Sequence, residues 1–325
     1  MVAVAMAVLA TAAQAAAQPL TISSAATSAG AFSGGSPDVF TPDGTGPANL
    51  NVTDLQNQLA STDVEVGTAG STTTISIDND ISSASTHELD FDPASGITVN
   101  TPTITNGGLV EFVRGTVLAQ DATMTAGASG NVLFASTLDG GHALTIQGVG
   151  VFDGAVGSTT ALSSLTVTSA TTDVTGSITT TGSQSYGQLV QLFVSGPAAF
   201  TSTGGSVTFG ADVDNRFATS MTVNATSGTT TFDGVVGAPG VVPSLTVNGP
   251  AALAGGSVMT TGAQTYDDAV TLGANATVTS TGAGNVTFGS TVNGAHALAV
   301  NTAGTTTFGG AVGGSTALLS LLTDA

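Results

Sequence analysis

The sequence predicts an all-β chain: a right-handed parallel β-helix with one short helix near residues 52–60. Three observations carry that prediction. The first is repetition. Phe134, Phe209 and Phe288 sit in corresponding segments, Asn131-Val-Leu-Phe-Ala-Ser-Thr-Leu-Asp-Gly-Gly-His, Ser206-Val-Thr-Phe-Gly-Ala-Asp-Val-Asp-Asn and Asn285-Val-Thr-Phe-Gly-Ser-Thr-Val-Asn-Gly-Ala-His, spaced by 75 and 79 residues. Phe152, Phe232 and Phe308 recur after 80 and 76 residues, and Gly-x-Gln-x-Tyr runs from Gly182 and again, 80 residues on, from Gly262. Anchors recurring in step identify a repeat architecture.

The second observation is alternation. Runs such as Thr73-Thr-Ile-Ser-Ile-Asp78, Leu89-Asp-Phe91 and Leu109-Val-Glu-Phe-Val113 alternate apolar with polar residues and are bounded by Gly, Asn, Asp, Ser or Pro. That is the strand-and-turn pattern. It places Val132 with Phe134, Leu144 with Ile146, and Leu165 with Val167 on one strand face, with Thr and Ser facing out. The third observation is the shorter step, 18, 23 and 20 residues between the paired phenylalanines of each repeat. A step near twenty is one coil of three short strands. A sandwich predicts hairpin turns without long-range recurrence. Roughly fourteen coils, one strand spacing apart, make a rod of about 65–70 Å.

Taken in order, Met1 to Gln18 is Ala-rich and apolar and reads as an export signal, although no Lys or Arg precedes it. Residues 19–47 are Ser-, Gly- and Pro-rich and read as a loop-like lead-in. Residues 48–128 are assigned to N-terminal coils containing the helix Val52–Ala60. Thr53 or Asp54 is its expected cap, and Leu55 and Leu59 share one face. That face needs a partner, either the open end of an early coil or the side of the array. Residues 129–325 hold the long repeats, 129–203, 204–281 and a shortened 282–325. The last ends at Leu318-Leu-Ser-Leu-Leu-Thr-Asp-Ala325 where the first copy carries on, so the array is expected to continue beyond this chain. Asp139-Gly140 and Asn293-Gly294 mark corners that need positive φ. Coils of this kind are stabilised through their neighbours, so the ends must be covered.

Composition narrows the function. Two arginines, Arg114 and Arg216, and no lysine stand against 21 acids, for a net charge of −19. Neutralising phosphates requires cations, so nucleic acid is excluded as a partner. Hydrophobic residues at 41% exclude a disordered acidic tail. No segment is long and apolar enough for a membrane-spanning helix.

Asn285-Val-Thr-Phe-Gly-Ser-Thr-Val-Asn-Gly, Thr305-Thr-Thr-Phe-Gly-Gly-Ala-Val-Gly, Gly262-Ala-Gln-Thr-Tyr-Asp-Asp-Ala-Val-Thr-Leu and Asn51-Val-Thr-Asp-Leu-Gln-Asn-Gln-Leu resemble the repeats of very large bacterial surface exoproteins. These are the filamentous-haemagglutinin-like and autotransporter-like adhesins. The resemblance covers roughly residues 48–325. It implies a secreted or surface-displayed β-helix used for adhesion, aggregation or biofilm. It also implies a host or neighbouring-cell surface as partner, carbohydrate or matrix, and an outer-membrane transporter for export. The family's secretion domain and membrane barrel have no counterpart here, which leaves the route open.

The site readings are sparse, and no cofactor is expected. Asp78, Asp80, Asp212 and Asp214 pair oxygens in the manner of calcium ligands, without the Gly-Gly-x-Gly-x-Asp repeat of calcium-loaded solenoids. Turn chemistry accounts for them. His142 and His296 correspond, but the middle copy carries Arg216-Phe217 there, so they are expected at turn edges and not in a metal column. His87 stands alone beside Glu88. Asp90 and Asp92 raise a carbohydrate-active enzyme as the alternative, since glycoside hydrolysis needs two carboxylates facing one cleft. A lyase acting on acidic sugars would want more basic groups, and only Tyr186 and Tyr266 join the phenylalanines as aromatics. Thr229-Thr-Thr231 and Thr305-Thr-Thr307 hint at an ice-binding threonine array, but their columns are expected to be irregular from coil to coil.

Overall fold

Period-two alternation sets the architecture. In strand after strand the apolar residues point inward and are fully buried, among them Val132, Phe134, Leu144, Ile146, Val207, Phe209, Val286 and Phe288. Threonines between them stay partly exposed. Burying each large side chain is worth roughly 1.5–3 kcal/mol. The computed structural model describes residues 17–68, 70–128, 130–168, 170–194 and 196–323. Within them the chain winds into a parallel β-solenoid of about 13 turns with a single helix. Most of the apolar leader, residues 1–16, lies outside the described residues.

Each turn visits three faces. Thr116–Leu118 lies on the first face, Ala122–Ala126 on the second and Asn131–Phe134 on the third; Leu138–Asp139 returns to the first and pairs in parallel with Thr116–Leu118. The first face comprises a six- and a seven-stranded sheet, bridged through Val156 to Leu138 and Ile178. The second is an eleven-stranded sheet, extended by Val312 on Val292. The third comprises a ten- and a four-stranded sheet, bridged through Val236 to Val213 and Val258.

The long repeat is out of phase with the turn. From the strand Asn131–Phe134 to the strand Val207–Phe209 the chain takes eleven strand steps, with Val156 counted as one. Eleven steps over three faces are three turns and two faces. Corresponding residues therefore land on different sides: Phe134 on the third face, Phe209 on the second and Phe288 on the first. The aromatic stacks move with them. Phe91, Phe112, Phe134 and Phe152 stack at 4.9–5.8 Å on the third face. Tyr186, Phe209 and Phe232 stack at 5.4 and 5.3 Å on the second, and Tyr266, Phe288 and Phe308 at 5.2 Å on the first.

The expected loop-like lead-in instead contributes strands. Gln18–Ser23 joins the first face between Ala48–Asn51 and Thr72–Ile77. Gly30–Phe32 and Asp38–Pro42 form an antiparallel hairpin, the second strand of which pairs with Val64–Val66. Leu20, Ile22 and Phe40 are buried, so short alternating runs outweigh the Ser, Gly and Pro around them.

The helix spans Val52–Leu59, and its cap is Asn51 and not Thr53 or Asp54. The Asn51 carboxamide oxygen accepts from the Thr53 N–H at 2.8 Å, satisfying an orphan donor of the first turn. Leu55 and Leu59 are buried against the N-terminal end of the array. The Gln56 amide donates to the Ser82 carbonyl, in the outermost strand of the second face, at 2.7 Å. The helix thus takes the place of a second-face strand in the first turn and covers that end.

Gly140 and Gly294 confirm the corner expectation. Their φ values are 124° and 133°, and a Cβ would meet the Leu118 and Leu272 carbonyl oxygens of the preceding coil at 2.3 and 2.5 Å.

Candidate functional site

Because inward positions are mostly apolar, the carboxylates of most strands point outward, with the buried Asp38 among the exceptions. On the third face this produces a ladder. Glu65, Asp90 and Glu111 occupy the middle positions of Val64–Val66, Leu89–Phe91 and Val110–Phe112, in register on adjacent strands. Parallel strands lie about 4.8 Å apart. Asp63, Glu88 and Asp92 flank the ladder, and Arg114 reaches Asp92 Oδ1 at 3.3 Å. Burial pushes the Asp90 carboxyl up to about 7, with further push from Glu111, Glu65, Asp92 and Glu88. Burial likewise raises Glu65, with help from Asp92, and Glu111, with help from Glu88, Asp153 and Asp92. Asp90 Oδ1 is buried without a hydrogen-bond partner. The Asp90 and Asp92 of the enzyme alternative therefore lie on a sheet face, one in a carboxylate row and the other engaged by arginine.

After the apolar Leu133 and Val151, the same column resumes along the face as Asp173, Gln191 and Asp214. Asp173 is raised by burial, an effect that Arg216 opposes. Asp214, only 1% exposed, accepts from the Gly240 N–H at 2.7 Å and holds Arg216 Nε at 2.9 Å.

The calcium candidates act as braces between coils. Asp78 accepts from Ser76 Oγ of its own coil at 2.7 Å and from Asn100 Nδ2 of the next at 3.5 Å. Asp80 accepts from the Thr101 hydroxyl and the Thr103 N–H, and Asp212 from the Val235 N–H at 2.7 Å. The pattern is general. Asp139 accepts from Thr159 and Thr160 N–H groups, and its counterpart Asn293 from Ser315 and Thr316. Among the described residues no group of three or more His, Cys, Asp or Glu can hold a metal ion. His87 lies 3.1 Å from Asp63 and His142 3.5 Å from Asp121. His142 and His296 precede strands on the second and third faces, so the two imidazoles fall in different columns.

The threonine columns are more regular than expected. On the second face Thr103, Thr123, Thr145, Thr166, Ser185, Thr208 and Thr231 lie in unbroken register. On the first face Thr222, Thr246, Thr265, Thr287 and Thr307 do the same. The sequence hides this because Thr229–Thr231 and Thr305–Thr307, which look alike, belong to different faces. A shallow hollow of about 370 Å³, lined among others by Thr125, Gln147, Gly148 and Val149, contains no acid or base.

Sequence reasoning marked Gly-x-Gln-x-Tyr as an anchor without finding its role. Tyr186 donates to Gln184 Oε1 at 2.9 Å, while Gln184 Nε2 donates to the Thr201 carbonyl at 2.9 Å. Tyr266, Gln264 and the Thr279 carbonyl repeat the arrangement at 3.1 and 2.8 Å. Both clusters are fully buried, and burial pushes both phenols well above their ordinary range. A repeated polar motif inside an apolar core was the available signal.

No family model, curated protein or solved structure matches this chain. Among the described residues no helix is long and apolar enough to cross a membrane.

Proposed function

We propose that the chain is an exported, non-catalytic adhesive solenoid, a stalk and multivalent contact surface of a bacterial exoprotein. One observation carries this reading: the phase of the repeat. Segments 158–161, 238–241 and 314–317 fall at corresponding places in the three copies, yet each loops out on a different face. The first interrupts the first face between Val156 and Leu162, which bridge to Ile178 and Thr180; the next interrupts the third between Val236 and Val242, which bridge to Val258 and Thr260; the last follows Val312 on the second. A contact element written once per repeat is thus presented around the axis. Multivalent attachment benefits from that geometry, because weak contacts on one support add as avidity. The acidic third face keeps nucleic acid and anionic lipid away.

The test is attachment. Beads coated with the protein are expected to adhere to bacterial or host-cell surfaces, and to lose adhesion stepwise as the loops 158–161, 238–241 and 314–317 are each replaced by Gly-Ser linkers. Adhesion absent from the start, or turnover of a polysaccharide panel, overturns the reading. A second reading is favoured by the threonine columns on the first and second faces. Regular hydroxyls and methyls suit an ordered lattice such as ice, and thermal hysteresis measures that directly; its absence removes this reading.

A further inference from the structure

The middle copy departs from its neighbours at one turn. Copies one and three close it with Asp139-Gly-Gly-His142 and Asn293-Gly-Ala-His296; copy two has Asp214-Asn-Arg-Phe217. It is also two residues longer, since Phe134 to Leu144 spans ten positions and Phe209 to Met221 twelve. The bracing role is kept. Asp214 still receives an N–H from the following coil, and Asn215 binds the turn to itself and to the Val241 carbonyl at 3.0 Å. Arg216 and Phe217 are therefore additions that the turn does not need, because the other two copies close it without them.

What they add is an exposed platform. Phe217 is 62% exposed, and it is the one aromatic among the large exposed hydrophobics of the described residues. Its ring lies 5.9 Å from that of the half-buried Phe193, tilted by 56°. The Arg216 side chain is 43% exposed and fixed through Nε on a nearly inaccessible Asp214. Gln191 lies beside Asp214 in the same outward column and Asp173 one strand further on, and Asp173 Oδ1 is buried without a hydrogen-bond partner.

We propose that this platform binds a neutral hexopyranose unit of a surface glycan, a proposal that rests on the contact-surface reading above. A sugar ring presents an apolar C–H face, which suits the open Phe217 ring. Its hydroxyls both donate and accept. Arg216 supplies donors, the Asp173 carboxylate supplies acceptors and the Gln191 amide supplies both. A site of one apolar surface with a few placed polar groups is the usual form of small-ligand recognition. Charge decides the class: Arg216 is already matched by Asp214, and Asp173 adds a further negative charge, so an acidic sugar is repelled.

The test uses the chain's own composition. With no lysine and only Arg114 and Arg216, the arginine Nε–H region of a nitrogen–proton correlation spectrum holds two signals. Titration with the methyl glycosides of glucose, galactose, mannose and N-acetylglucosamine is expected to move the Arg216 signal for at least one of them and leave Arg114 in place. Phe217→Ala is expected to weaken that binding at least tenfold, with the Arg114 signal unchanged as the check on folding. No shift with any of the four, equal movement of both arginines, or tighter binding of glucuronate overturns the proposal. Adhesion of coated beads, measured on the same Phe217→Ala protein, separates the two claims. If wild-type beads adhere while no glycoside binds, the glycan site fails and the adhesive reading stands.

Discussion

At the scale of single residues, the third-face ladder ties stability to pH. Asp90 ordinarily titrates near 3.8 and is raised to about 7. Between those values the folded state holds a proton that the unfolded chain releases. Stability from this group is therefore full at low pH, falls as pH rises through the window and is flat above it. Discounted for Asp90's partial exposure, the effect is about 1–2 kcal/mol. Asp90→Asn is expected to stabilise the protein by that amount at pH 8 and to be neutral near pH 4, measured by denaturant midpoints across the range. Glu65 and Glu111 are raised in the same direction, so a weaker slope should persist in the variant. The buried tyrosines make a second residue-scale case. Tyr266→Phe leaves Gln264 Oε1 without its donor, which costs about 1–3 kcal/mol. An unchanged denaturant midpoint would show that the cluster is dispensable.

At the scale of elements, the helix is what separates the N-terminal end from a bare strand edge. Leu55→Ala opens a cavity where the helix meets the first coils and is expected to cost about 2–5 kcal/mol. Asn51→Ala removes the cap at about 1 kcal/mol. Hydrogen exchange should locate both losses in Gln18–Ser23, Ala48–Asn51 and Val64–Val66 and spare the repeats, since neighbouring coils carry the coupling. Uniform loss along the array would mean that the helix is no cover. These elements also show how legible the chain was. The helix and its buried leucines were readable from spacing, whereas its cap was not, because Asn51 also reads as the end of a strand. The lead-in was missed because Leu20 with Ile22, and Asp38 with Phe40, alternate over too few residues to stand out among Ser, Gly and Pro.

At the scale of the whole molecule, what the sequence could not reveal was which repeats share a side. Strand identity depends on local alternation, and that was legible from Val64 onward. Face identity depends on the count of strand steps between copies. That count turns on single bridging residues, Val156, Val236 and Val312, which occupy a strand's place without a strand's length. The threonine columns follow from the same count, so they too lay outside local reading. A physical consequence can be measured. If coil stacking depends on local sequence and not on which face a strand occupies, removing residues 209–287 joins Thr208 to Phe288 and preserves Val-Thr-Phe-Gly across the junction. Every later strand then moves by one face. The shortened protein is expected to unfold cooperatively and to lose three and two-thirds turns, about 18 Å of length at one strand spacing per turn. Small-angle scattering reads that length. Removing residues 228–287 joins Ser227 to Phe288 at places that do not correspond, breaks the strand alternation there and is expected to aggregate. If both deletions fold equally well, the repeat is not the unit of assembly; if the first aggregates as well, each face demands its own side chains.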